Sequence, residues 1–384
     1  MNLKLTPRHL RIRQLRPWLV TLSIALTACI ARADKKHAPA PPTSYKVGLV
    51  TRDFTPTARR NWRGAESHTL HTTIWYPAPD TVTETPQFVG PPDKPLFDAG
   101  SVTPHASFAP ALEPFPLILL SHGTGGSAQQ LAWLGTALAR AGFIAAAVDH
   151  PGNNANAPYT QEGFTLWWER ATDLSEVLDG LLADPELGPH IDRDRIGAAG
   201  FSLGGYTVLE LAGARTDIAA FYDLCEKDKD NIDCHIPEMK DMGTPQRILE
   251  TVRKSSGESL ARSGDSFRDP RIRAVFAIAP ALGFTLTPDS LHAIRLPVEI
   301  VVGSGDPIAP PKDNADLLRQ HIRGAHETVL PGVAHYTFLD TCTPAGRQTA
   351  AQFCEDPPGI DRAVIHQQVD ALAVQFFNRA LRVR

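Results

Sequence analysis

The stretch that decides the fold runs from Arg195 to Thr207, Arg-Ile-Gly-Ala-Ala-Gly-Phe-Ser-Leu-Gly-Gly-Tyr-Thr. Its first half is small and apolar, the composition of a strand buried between neighbours on both faces. Its second half opens a helical pattern that continues to Ala214. At the junction stands Gly200-Phe201-Ser202-Leu203-Gly204. A Gly-x-Ser-x-Gly string is weak evidence alone and strong evidence between a strand and a helix. The sharp turn strains the serine backbone, and the positions two residues to either side must be nearly free of side chain for strand and helix to pass. Gly200 and Gly204 meet that requirement, which leaves the Ser202 hydroxyl at the sheet's edge with a helix amino terminus behind it.

Outward from this junction, the chain alternates short apolar runs with longer helical patterns. That alternation predicts an α/β class with a mostly parallel sheet and helices on both faces. Tyr45 to Thr51 and Leu70 to Tyr76 read as an antiparallel opening pair, and Ala78 to Pro114 as a loop-rich insert. Pro116 to Leu120 reads as a buried strand, Ala128 to Ala141 as a helix, Phe143 to Val148 as a strand and Glu162 to Ala183 as one long helix. Arg271 to Ile278, Val298 to Val302 and Glu327 to Leu330 supply later strands, and Ile360 to Leu381 a closing helix. Residues 215–270 break the rhythm with polar, cysteine-bearing sequence, and are expected to form a helical, lid-like insertion over the carboxyl edge of the sheet.

A serine hydroxyl is a poor nucleophile until a base takes its proton, so a histidine and an orienting carboxylate should follow along the chain. Strand Pro297 to Val302 runs into Gly303-Ser304-Gly305-Asp306-Pro307, and strand Glu327 to Leu330 into Pro331-Gly332-Val333-Ala334-His335. Both loops open at strand carboxyl ends, the edge where Ser202 stands. Ser202, Asp306 and His335 are therefore the expected catalytic set. His321 and His326 fall at the other end of the sheet, His366 inside the last helix and His292 before a strand. Asp289 precedes a strand, and Asp313 opens a helix where a carboxylate caps amides.

After the first central strand stands Ser121-His122-Gly123-Thr124-Gly125-Gly126-Ser127, whose glycines let backbone amides approach a ligand closely. The amides of Thr124 and Leu203 are the expected oxyanion donors, and His122 reads as a brace for its loop. Asp149-His150-Pro151-Gly152-Asn153-Asn154 follows a strand, which puts His150 at the expected pocket rim. Trp167 and Trp168 are candidate apolar walls for substrate, although adjacent helical positions face different directions.

The amino terminus concerns destination. Lys4, Arg8, Arg11, Arg13 and Arg16 precede an uncharged stretch from Trp18 to Ile30, the order of an export signal spanning residues 1–33. That stretch falls short of the roughly 20 residues a permanent membrane helix needs. Leu26-Thr27-Ala28-Cys29 has the form of a lipoprotein box with Cys29 acylated, and Ala31-Arg32-Ala33 that of a small-x-small site, so cleavage is expected before Cys29 or after Ala33. A Pro-rich tether, residues 34–44, leads into a single domain expected over 45–384. Cutting before Cys29 leaves 33 basic residues against 42 acidic ones, too acidic a balance for a nucleic-acid partner. The other cysteines fall in two short-range pairs, Cys225 with Cys234 and Cys342 with Cys354. Two loop-stapling disulfides suit an oxidising compartment, although four cysteines allow three connectivities. Neither pair has zinc-ligand spacing, no phosphate-binding glycine loop appears, and no metal or cofactor is implied.

Together the strings TIWYPA, SHGTGG, DHPGNN, WWERATDLSEVLD, RIGAAGFSLGGYT, AIAPALG, GSGDPIAP and PGVAHYTF, spread from Val47 to Phe377, carry a family resemblance. The chain resembles α/β-hydrolases of the dienelactone-hydrolase-like and platelet-activating-factor-acetylhydrolase-like branch. The resemblance implies the α/β-hydrolase fold and an esterase with Ser202, Asp306 and His335 as its triad; the leader implies export, and the lid-like insertion favours a small ester. Two departures matter. Dienelactone hydrolases proper carry a cysteine nucleophile where this chain has Ser202. The plasma acetylhydrolase places its acid after an earlier strand, whereas Ala277 to Leu282 holds no carboxylate, so the role falls to Asp306. An amidase would use the same three residues, and a binding protein would have no use for them.

Overall fold

Two-residue alternation with both faces buried organises the centre of the molecule. In the strand Phe115–Ser121, Leu117 and Leu119 enter one apolar cluster while Ile118 and Leu120 enter another on the opposite face. A strand reads as continuously apolar when helices cover both its faces. The computed structural model describes residues 44–56 and 69–382; the expected export signal, Cys29 and the expected tether up to residue 43 lie outside the described residues.

The strands in chain order are β1 (Lys46–Phe54), β2 (Leu70–Ala78), β3 (Thr85–Val89), β4 (Phe97–Pro104), β5 (Phe115–Ser121), β6 (Ile144–Val148), β7 (Ile191–Phe201), β8 (Ile272–Ile278), β9 (Val298–Gly303), β10 (His326–Leu330) and β11 (Thr341–Cys342). The α-helices are α1 (Ala132–Arg140), α2 (Gln161–Thr165), α3 (Glu169–Ala183), α4 (Leu203–Ala212), α5 (Ile218–Lys227), α6 (Pro245–Ala261), α7 (Pro288–Ala293), α8 (Ala315–His321), α9 (Pro344–Thr349), α10 (Ala351–Cys354) and α11 (Arg362–Ala380). One sheet runs in the order β10-β9-β8-β7-β5-β6-β2-β1-β4-β11, with β3 on β4. Pairing is parallel from β10 to β6, and antiparallel where β2 meets β6 and β1. Residues of α3, α4, α7 and α8 fill one face, and residues of α1 and α11 the other. This is the α/β-hydrolase fold.

From β5 the chain steps one way to β6 and then back across β5 to β7, so the strand order reverses between β5 and β7. Loops leaving neighbouring strands at such a reversal diverge to opposite faces and open a crevice at the carboxyl edge. Ser121 and Gly200 are register partners there, which sets the loop after β5 beside the turn after β7.

Two expectations are corrected. The segment from Ala78 to Pro114 is not merely loop: it contains β3 and β4, bound through β1 and β11. Only Ala99 and Val102 of β4 are buried, so the strand owes its form to backbone pairing with β1, β3 and β11 and carries little apolar periodicity. The long helix is broken between α2 and α3, with Leu166 at φ −95°, ψ 62°. Leu166, Trp167 and Trp168 are consecutive and all buried, and one helical face cannot bury three consecutive large side chains.

Within residues 215–270, α5 and α6 flank two 3₁₀ turns, Ile232–Cys234 and Pro237–Met239. The Cys225–Cys234 disulfide ties the first turn to α5, and Cys342–Cys354 ties β11 to α10. Among the described residues no helix is long and apolar enough to cross a membrane.

Candidate active site

Ser202 caps α4 with φ 55° and ψ −121°, a strained conformation held by a hydrogen bond from its amide to the Ile278 carbonyl at 2.9 Å. The turn closes only because its flanking glycines lack side chains. A Cβ on Gly200 would lie 2.1 Å from the Gly204 carbonyl oxygen.

The loops after β9 and β10 are stitched together through backbone. Ser304 donates to the Leu330 carbonyl at 3.0 Å, Gly305 to that of Val333 at 3.0 Å, and the Gly332 amide to Ser304 Oγ at 2.9 Å. The stitching brings Asp306 Oδ2 to 2.6 Å from His335 Nδ1, while Oδ1 accepts the amides of Ile308 at 2.9 Å and Ala309 at 2.8 Å. On the other edge of the ring, His335 Nε2 lies 2.9 Å from Ser202 Oγ. The side chains of His335 and Asp306 are 3 % and 0 % exposed, so water competes little for their interaction. With Nδ1–H donated to Asp306, Nε2 is left to accept the serine proton, the arrangement nucleophilic acyl transfer requires. The other histidines are engaged elsewhere: His326 on Glu299 at 2.7 Å, His292 against His321, and His366 stacked on Trp133.

The loop after β5 lies against the nucleophile, for a Cβ on Gly123 would stand 3.3 Å from Ser202 Cβ. Its amides are taken selectively. Gly123 donates to Gln130 Oε1 at 2.9 Å, Gly125 to Asn153 Oδ1 at 2.8 Å and Gly126 to the Gly123 carbonyl at 3.2 Å. Among the described residues no acceptor takes the amide of Thr124 or of Leu203. Leu203 follows Ser202 directly and Thr124 follows Gly123 on the loop against it, so these two amides are the candidate oxyanion donors.

His122 does not face the nucleophile as a base. Its Nδ1 donates to the Gly123 carbonyl at 2.7 Å and its Nε2 accepts the His150 amide at 3.2 Å. Burial, reinforced by the Arg170 guanidinium, holds its ring well below the ordinary histidine range, so it is neutral.

The three expected substrate contacts are corrected. His150 is fully buried, with Nδ1 on Asp173 at 2.7 Å and Nε2 on Ser121 Oγ at 2.9 Å, so it braces the β5 end and lines no rim. Trp168 is fully buried and donates to Ser259 Oγ at 2.8 Å, packing with Leu166, Ile248 and Val252 beneath α6. Trp167 is core as well, edge-on to Phe221 and Tyr206. Loop after strand is a sound cue to location but carries no information on which way a side chain turns.

Several site residues were not singled out from sequence: Arg170, Asn153, Asp173 and Gln130 behind the β5 loop, and Asp233, Glu238 and Tyr159 beside the site. A Cβ on Gly125 would stand 3.1 Å from both Glu238 Cγ and Tyr159 Oη, so the insertion touches the loop directly. Burial pushes the Asp233 carboxyl up to about 6, against the pull of the neighbouring His335 ring. A charged pair, Glu169-Arg170, inside an otherwise apolar helix start was the available signal for the buried network.

The profile of the Alpha/beta hydrolase family matches residues 117–346. Among curated proteins, the chain is similar to a lipase of Moraxella sp. (strain TA144), at 32 % identity over 31 % of this chain and 34 % of the lipase. It is also similar to the platelet-activating factor acetylhydrolase of Canis lupus familiaris, at 28 % identity over 44 % of this chain and 50 % of the relative. A cutinase of Thermobifida alba is 33 % identical over 27 % of this chain and 32 % of its own. The chain thus spans between about a third and a half of the length of these relatives. Among solved structures, a ferulic acid esterase from Streptomyces cinnamoneus superposes with a TM-score of 0.58 over 91 % of this chain and 93 % of that one, at 20 % identity, a likeness of fold.

Proposed function

The chain belongs to the alpha/beta hydrolase family, and from that premise we propose that it is an exported serine hydrolase of small carboxylic esters. The observation that carries this reading is the hydrogen-bonded chain from Asp306 through His335 to Ser202, at 2.6 Å and 2.9 Å. In this reading His335 takes the Ser202 proton as the hydroxyl attacks the ester carbonyl, and the Thr124 and Leu203 amides hold the oxyanion. His335 then protonates the departing alcohol, and water repeats the sequence on the acyl-enzyme. Asp306 fixes the ring's tautomer and stabilises its cation. The lipase, acetylhydrolase and cutinase relatives act, by name, on esters, which favours an ester over an amide.

Two finer points belong to the same reading. The insertion, with Glu238 against Gly125 and Asp233 within electrostatic reach of His335, acts as a cover that limits substrate size and favours a bounded ester over a bulk polymer. The basic leader, the uncharged run before Cys29 and the two disulfides support export, with Cys29 as the candidate lipid anchor.

The test is hydrolysis of p-nitrophenyl esters from acetyl to palmitoyl by the mature protein and by Ser202→Ala. Activity on the shorter esters that vanishes in Ser202→Ala is expected. A mutant with full activity would remove Ser202 from the mechanism, and a folded wild type inert to every ester would remove esters from the reading.

A further inference from the structure

Behind the site lies a buried polar cluster that touches no substrate surface yet contacts both elements that host the oxyanion amides. Arg170 on α3 is fully buried. Its guanidinium donates to the His122 carbonyl and, at 3.3 Å, to Ser121 Oγ, both at the start of the β5 loop. Its Nε donates to Thr207 Oγ1 at 3.1 Å, one turn into the helix that Leu203 begins. At 3.4 Å it also reaches Asn153 Oδ1, the oxygen that takes the Gly125 amide at 2.8 Å. Asn153 is itself 1 % exposed and anchored by Nδ2 on the Gly163 carbonyl at 3.1 Å.

Resting on the esterase reading, we propose that Arg170 and Asn153 are positioning residues for the oxyanion hole. Arg170 is a strut that fixes the spacing between the Leu203 helix and the Thr124 loop. Asn153 draws the Gly125 amide away from the site, so the peptide before it, with the Thr124 amide, keeps one orientation. A guanidinium suits this task because its planar fork presents several donors in fixed geometry. Ser121, His150 and Asp173 complete the support from below, at 2.9 Å and 2.7 Å. Those three repeat the residue types of Ser202, His335 and Asp306 but sit behind the β5 loop, engaged with one another and with Arg170, which gives them a bracing role. Oxyanion donors act by being preorganised, so a brace of this kind works on kcat with little effect on ground-state binding.

The experiment compares wild type, Asn153→Ala, Asn153→Asp and Thr207→Val on a short p-nitrophenyl ester, with thermal melting and deuterium uptake across residues 121–126. Asn153→Ala is expected to lower kcat by roughly ten- to a hundredfold with KM little changed, a part of what losing one oxyanion donor costs. The inhibition constant of a trifluoromethyl ketone, whose adduct carries the oxyanion, should rise by the same factor. Asn153→Asp keeps an acceptor for the Gly125 amide and should recover most of kcat. Thr207→Val removes one anchor of Arg170 with little change of shape, and serves where Asn153→Ala does not fold. Uptake over 121–126 should quicken in Asn153→Ala or Thr207→Val whatever the ester result. Unchanged uptake, an unchanged kcat in a folded variant, or loss of kcat and KM together without rescue by Asn153→Asp would overturn the proposal. A wild type inert to esters would sink the esterase reading alone.

Discussion

Gly204 and Ser121 meet backbone to backbone: a Cβ on Gly204 would stand 1.9 Å from the Ser121 carbonyl oxygen. This contact presses the start of α4, which Leu203 begins, onto the start of the loop after β5, which carries Thr124. Gly204→Ala must therefore push two backbone segments apart. It is expected to cost about 3 kcal/mol or more, at or beyond the upper end of ordinary overpacking. Gly257→Ala, where an added Cβ meets nothing within 4 Å, should instead be neutral or stabilise by about 0.5–1 kcal/mol. Urea unfolding of both variants checks the pair, and equal stabilities would contradict the contact.

Asp306→Asn should separate folding from chemistry. The asparagine oxygen can still accept the Ile308 and Ala309 amides, but its NH₂ then faces His335 Nδ1 and favours the wrong ring tautomer. A fall in kcat of about 10⁴ is expected with the melting temperature nearly unchanged. Rate and melting curves on the same preparation decide it.

Glu210 makes stability fall as pH rises from about 4.5 to about 8. Its carboxyl is fully buried, takes the Tyr206 and Thr216 hydroxyls, and is pushed up to about 8 by burial. The folded state holds the proton while the unfolded chain releases it near 4.5, so this contribution is complete below 4.5 and is lost as pH rises to about 8. Glu210→Gln should leave stability little changed at pH 4.5 and raise it by a few kcal/mol at pH 8. Melting temperatures across that window, running parallel for the two proteins, would disprove the assignment.

His366 produces the opposite slope on the acid side. It is buried, stacked on Trp133 and donates to the Thr337 carbonyl at 3.1 Å, and burial lowers it to about 4. The unfolded histidine binds a proton near 6.5, so the contribution is present above 6.5 and is lost as pH falls to about 4. His366→Phe keeps the stack and removes the titration. Its melting temperature should fall less steeply between pH 6.5 and 4 than that of the wild type.

The Cys225–Cys234 disulfide ties α5 to the turn that carries Asp233, which interacts electrostatically with His335. Replacing both cysteines by serine should cost roughly 2–3 kcal/mol through the entropy of a short closed loop. Hydrolysis of an acetyl ester should persist while the chain-length preference broadens, because the cover loosens and the machinery does not. A chain-length profile identical to that of the wild type would remove the insertion from substrate selection.

The sequence by itself determined the central parallel strands, the order of their helices and the loops that hold Ser202, Asp306 and His335. The reason is local: buried strands are written as apolar runs, and a strained turn demands Gly200 and Gly204. The strand Phe97–Pro104 escaped notice because backbone pairing supports it, and pairing leaves little trace in residue type. Direction of side chains was the other limit. His150 and the Trp167-Trp168 pair stand where a pocket would be, but turn inward to Asp173, Ser121 and the core. Only the tertiary structure decided that Arg170 would join α4 to the β5 loop, and that Glu238 would come to rest against Gly125. Those contacts join residues far apart in sequence, and their partners are chosen by how helices and loops pack, a property of the assembled chain that no local pattern encodes.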